Sequence, residues 1–154
     1  MPPLVTIIPR VARIAFPNIM ARRLKVLISA YACEPHRGSE PAVGWNWVRQ
    51  AARFHDVWVI ARRDERASIE SHPFGREAPN VHWVYYEFPK SRLFWKFGGP
   101  GIQLYYYLWQ WRIGPVGRRL QREVGFDVIH HVTLVRYWTP TALSSLPVPL
   151  IAPP

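Results

Sequence analysis

Two places in this sequence hold residues whose types and spacing could do chemistry. Gly38, Ser39, Glu40 and Gly44 follow an apolar run, and His130-His131 close another. Glycines let backbone N–H groups come close to an anion. A carboxylate such as Glu40 can hydrogen-bond hydroxyls or cap a helix, and an imidazole exchanges a proton near neutral pH. Each place also has a plain structural reading, as a helix-capping turn and as packed or surface histidines at a strand end. Successive strand side chains point to opposite faces, so only one of the two histidines can face a given cleft.

The elements that must position these residues are legible in the pattern. Residues 24–30 form a short apolar strand of the kind buried on both faces of a parallel sheet. Turn residues follow, with Glu34-Pro35, Gly38-Ser39 and Glu40-Pro41. Val43, Trp47, Val48, Ala51 and Phe54 then recur at spacings of three or four, which predicts the buried face of a helix. Strand, loop and helix together open a doubly wound α/β domain, Rossmann-like and mainly parallel, whose ligands bind at the carboxyl ends of the strands. Further strands are expected at 56–61, 81–87, 126–131 and 148–152, with a helix at 137–146. The charged run Arg62 to Arg66 reads as the solvated start of a short helix through Ile69, and 73–79 as a loop. Residues 1–22, with prolines at 2, 3, 9 and 17, read as a disordered tail or an over-long start; no signal-peptide core is evident, because Arg10 and Arg13 interrupt it.

The wording of the first loop carries a resemblance. Ser29-Ala-Tyr-Ala-Cys-Glu-Pro, Gly38-Ser-Glu-Pro and Val43-Gly-Trp-Asn-Trp resemble the start of a bacterial subgroup of retaining, family 4 glycosyltransferases of the GT-B fold. Asp127-Val-Ile-His-His-Val-Thr and Thr139-Pro extend it, so that it covers roughly residues 24 to 151; Ala42 departs where the subgroup has glycine. The resemblance implies the N-terminal, acceptor-side domain of an enzyme that moves a sugar from a nucleotide-diphosphate sugar to a glycan or lipid-linked acceptor, without metal or other cofactor. It implies that Gly38, Ser39 and Gly44 admit donor phosphates or sugar, that Glu40 meets acceptor hydroxyls or caps the helix, and that His130 or His131 is the acceptor-side histidine. The D-x-x-H spacing favours His130, without deciding between them.

Residues 89–125 fall outside that pattern. Eight aromatics lie between Phe94 and Trp111, bracketed by Lys90, Arg92, Lys96, Arg112, Arg118, Arg119 and Arg122, with Gly98-Gly-Pro-Gly dividing a short helix from a long one over 102–123. One reading wedges this helix between the sheet and its neighbours. The other is an interfacial patch that meets an anionic membrane through Lys96, Trp109, Arg112, Arg118, Arg119 and Arg122. Nucleic acid could use the same ingredients, but no recognisable nucleic-acid-binding fold accompanies them.

Composition bounds the rest. The 154 residues hold one domain, whereas a two-domain enzyme needs about twice as many at ~100–200 residues per domain. The chain therefore reads as truncated, or as half an enzyme, inactive by itself. One cysteine, Cys33, excludes a disulfide framework and suits a reducing compartment, so a cytoplasmic place is expected; the resemblance and the basic aromatic patch imply that it is peripheral at the inner membrane face. A net charge of +10 calls for a polyanionic partner or surface. No H-E-x-x-H, C-x-x-C or P-loop is present. Two other classes stay open, a non-catalytic membrane- or partner-binding module and a remnant without function, and a second domain encoded directly downstream would favour the enzyme over both.

Overall fold

A computed structural model describes residues 22–87, 98–132 and 141–152. Five strands, β1 (Lys25–Ala30), β2 (Asp56–Arg62), β3 (Val81–Tyr86), β4 (Val128–His131) and β5 (Leu150–Ile151), form one sheet of order β3-β2-β1-β4-β5. Every pairing is parallel, with Lys25 opposite Asp56 and Val26 opposite both Val57 and Val128. All of β1 beyond Lys25 is buried, as a central parallel strand requires. The protein is thus an α/β domain with a parallel sheet covered on both faces.

Two cores separate along the pleat. Val26, Ile28 and Ala30 of β1 join Val57 and Val59 under α1 (Glu40–Ala52), α2 (Arg66–Ser71) and α3 (Pro73–Glu77). Leu27, Tyr31, Ile60 and Ile129 lie on the other face under α4 (Gly98–Val124) and the 3-10 turn Ala142–Ser145. At the amino edge of the sheet, Asp127 accepts from the Lys25 N–H at 2.8 Å and pairs with Arg22. It clamps two strand starts at the end away from the histidines.

Several expectations from the sequence are corrected. Helix α1 turns a different face inward: Gly44, Trp45, Val48 and Ala52 are buried, whereas Val43 and Trp47 are 44% and 45% exposed and Phe54 lies outside the helix. Two apolar stripes compete on this helix. Trp45 wins because its ring meets Phe74 at 5.4 Å, His72 at 5.1 Å and Trp83 at 6.0 Å. Residues 73–77 are helical rather than a loop, since His72 accepts from the Phe74 N–H and Pro73 opens the turn with its fixed φ. Gly75 packs so close to Ile69 that an added Cβ would stand 2.0 Å from its carbonyl oxygen.

Helix α4 begins at Gly98, within the glycine-proline stretch expected to break it, because Pro100 falls in the first turn where its missing N–H costs nothing. It ends at Gly125, whose φ of 69° is the left-handed stop. Fifth-strand pairing is limited to Leu150–Ile151. Of the helix expected over 137–146, residues 137–140 lie outside the described residues and 142–145 form a 3-10 turn. Residues 1–21, including most of the expected tail, also lie outside, as does the short helix expected before Gly98.

Candidate functional site at the carboxyl edge of the sheet

The chain leaves β1 toward β2 on one side and later places β4 on its other side. Strand order therefore reverses between β1 and β4, and the loops beyond their carboxyl ends diverge there, which is where open α/β sheets bind ligands. Ser29 and His131 are register partners across this divide. The loop after β1 runs from buried Tyr31–Pro35 to exposed His36–Ser39, and is tied to the helix that follows by Glu34 N–H to Pro41 O at 3.2 Å.

Left-handed backbone in this loop falls on His36 (φ 60°) and Ser39 (φ 62°, ψ −138°), not on Gly38 or Gly44. Ser39 stands at the N-cap of α1 without a side-chain capping bond, so its strain has no local repayment. A Cβ added at Gly38 would meet nothing within 4 Å; any requirement for glycine there comes from something outside the loop. Gly44 is buried in α1, and Glu40 is its exposed first residue.

The two histidines face opposite sides of β4. His131 is 3% exposed, with Nε2 3.4 Å from the Tyr106 hydroxyl and Nδ1 without a hydrogen-bond partner. Burial, aided by His130, lowers its pKa to about 4, so the ring is neutral at pH 7. His130 lies half-buried on the α1 side, edge-on to Trp47 at 4.8 Å, and burial lowers its pKa too. Beside it Val43, Asn46, Trp47 and Gln50 line an open, largely apolar hollow of about 320 Å³.

Sequence reasoning missed a buried charged network at the same edge. The run 62–66 is not simply solvated: Glu65 is 1% exposed and the Arg62 side chain 13%. Glu65 Oε2 accepts from the Cys33 N–H at 3.0 Å, and its Oε1 lies 3.1 Å from Arg62 Nη2. The Arg62 guanidinium sits 4.8 Å over the Tyr31 ring, and Tyr31 meets Tyr106 edge-on at 5.0 Å. Burial pushes the Glu65 carboxyl up to about 8, against the pull of Arg62 and the Cys33 N–H. The charge run hid this, because only the path of the chain after β2 turns one carboxylate of the run inward.

The expected membrane-facing set is divided. Trp109 is fully buried, its indole N–H reaching Tyr86 O at 3.3 Å and its ring edge-on to Tyr31, so it cannot face a lipid surface in this fold. Arg112, Arg118, Arg119 and Arg122 are exposed, and Lys96 lies outside the described residues. The outward aromatic positions are instead Tyr107 and Trp111, next to Leu104.

Among the described residues no helix is long and apolar enough to cross a membrane, and no three His, Cys, Asp or Glu side chains gather as a metal site would need. No family model, curated protein or solved structure matches the chain.

Proposed function

We propose that this chain is the acceptor-side wall of a retaining GT-B glycosyltransferase that carries a sugar from a nucleotide-diphosphate donor to a glycan or lipid-linked acceptor. One observation carries the reading. The two stretches that resemble the family, around Gly38–Gly44 and His130-His131, lie far apart in sequence yet flank the same β1/β4 divide at the ligand-binding edge of a parallel sheet. In this reading the N–H groups around Gly38 and Ser39 meet donor phosphate or sugar, Gly44 lies within α1 and contributes no N–H, and Glu40 meets acceptor hydroxyls. A neutral imidazole at His130 or His131 accepts or donates a hydrogen bond at the transferred sugar. Exposed Trp47 with the Asn46 and Gln50 amides suits a sugar ring beside His130, offering an aromatic face and donors for hydroxyls. The outward face of α4, with Trp111 and four arginines, would hold the protein at the inner face of an anionic membrane where lipid-linked acceptors lie.

Titrating the labelled protein with short glycans and nucleotide-diphosphate sugars, followed by amide NMR, tests the reading. Shifts are expected at residues 36–47 and 130–131. Because the space around Gly38 is open, Gly38→Val should stay folded and lose those shifts by blocking ligand approach. Unchanged spectra with every glycan and nucleotide sugar would overturn the assignment. His130→Ala and His131→Ala, compared separately, identify the imidazole that meets the ligand.

A further inference from the structure

We propose that Glu65 is the positioning residue of the β1 loop, its carboxyl group fastening Cys33 and Arg62 so that residues 34–39 are presented at the β1/β4 divide. The proposal deepens the glycosyltransferase reading, on which the loop's use for ligand rests, but the fastening itself stands on geometry alone.

Glu65 follows β2, yet its side chain reaches into the neighbouring loop. One oxygen accepts the Cys33 N–H at 3.0 Å and the other faces Arg62 at 3.1 Å. From Cys33 the loop has two further buried residues, Glu34 and Pro35, before it turns outward at His36. Glu34 is itself held by its N–H to Pro41 O and by Arg37 at 2.6 Å. Arg62 connects the same carboxyl to the opposite face of the site: its guanidinium lies over Tyr31, Tyr31 abuts Tyr106, and the Tyr106 hydroxyl approaches His131. One carboxyl thus braces the loop after β1 and, through packed rings, the histidine that ends β4. Burying a carboxyl is costly unless donors face it, and here the Cys33 N–H and the Arg62 guanidinium do.

Its environment makes the fastening depend on pH. The groups facing Glu65 are Arg62 from β2, Asp64 from the 3-10 turn Arg63–Glu65, and Tyr31, the Cys33 N–H and Glu34 from the β1 loop, with Arg37 further out. Burial holds the carboxyl protonated to about pH 8, while the Cys33 thiol, also buried and raised, keeps its proton above that range. Ionisation strengthens the acceptor at Cys33 and completes the ion pair with Arg62, but the buried carboxyl holds its proton more tightly than it would in water, so the loop should open more readily as pH rises toward 8.

The test uses the full chain without ligand, by amide NMR and hydrogen exchange. The Cys33 N–H resonance should move with a midpoint near 8 in the wild type and stay still in Glu65→Gln, which keeps an acceptor but not the charge. In Glu65→Ala the amides of residues 32–34 should exchange at least tenfold faster while those of β1 and α4 keep their protection. Unaltered loop exchange in Glu65→Ala, or a Cys33 resonance that still titrates in Glu65→Gln, overturns the proposal. Should the alanine variant not fold, the glutamine variant alone decides. Because no ligand is present, a failed glycan titration leaves this result standing, and failure here leaves the ligand assignment to its own experiment.

Discussion

Glu65 and His131 tilt the stability of the protein in opposite directions as pH changes. Glu65 titrates near 8 when folded and near 4.5 when unfolded, so the folded state binds the extra proton and stability falls as pH rises through that window. His131 titrates near 4 when folded and near 6.5 when unfolded, so the unfolded state binds the extra proton and stability falls as pH drops through that window. Each slope is about 1.4 kcal/mol per pH unit where one proton is fully involved. Between 4.5 and 6.5 they offset, and between 6.5 and 8 Glu65 alone pulls stability down. Urea unfolding from pH 4.5 to 8.5 should therefore show the decline above 6.5 vanish in Glu65→Gln, while His131→Asn should decline from 4.5 onward. A Glu65→Gln curve parallel to wild type would mean that the carboxyl ionises normally in the fold. Ser39 gives a further residue-scale prediction. Its φ of 62° with ψ −138° is a conformation that glycine tolerates and serine does not. Ser39→Gly should raise unfolding stability by about 1 kcal/mol through released strain, and no gain would mean that the surroundings repay it.

At the scale of elements, α4 serves two surfaces at once. Inward, Gly114 and Gly117 let the 3-10 turn Ala142–Ser145 approach so closely that an added Cβ would stand 2.8 Å from Ala142 Cβ and 2.3 Å from Leu143 Cδ2. Gly117→Val should cost about 1–3 kcal/mol by overpacking, read as a lower urea midpoint at unchanged slope. Outward, Leu104, Tyr107 and Trp111 precede Arg112, Arg118, Arg119 and Arg122. If this face meets anionic lipid at about 1 kcal/mol per arginine, changing Arg118, Arg119 and Arg122 together to glutamine should abolish salt-sensitive sedimentation with anionic vesicles. Trp111→Ala should weaken it without unfolding. Trp109→Ala, by contrast, should cost about 3–5 kcal/mol of stability, because that ring fills the core. Equal binding to neutral vesicles at high salt would show hydrophobic adhesion rather than an electrostatic surface.

In the proposed reading the whole molecule presents one wall of a site. Its basic surplus of +10 suits phosphate-bearing ligands and anionic lipid together. Retaining transfer of the proposed kind needs charges placed in advance around the leaving nucleotide diphosphate on both sides of a cleft. The 154 residues by themselves should therefore turn over no nucleotide sugar, as a radiolabel-transfer assay would read. Turnover by the pure chain would overturn the view that a second wall is required.

The sequence by itself determined the α/β class and the places of β1 to β4, because runs such as residues 26–28 and 57–61 are apolar at successive positions, as suits a parallel sheet covered on both faces. It also brought the β1 loop and His130-His131 to notice, since strand ends are local features. The tertiary structure decided what local pattern leaves degenerate. On α1 two apolar stripes were available, and the fit of Trp45 against Phe74 and Trp83 chose between them. On α4 aromatics point several ways, and the sheet took Trp109 inward while leaving Trp111 out. Glu65 looks like any surface carboxylate in its charged run until Arg62 and the Cys33 N–H, which the loop after β1 supplies, close around it. Burial of a polar group depends on partners far away along the chain, and periodicity carries no record of them.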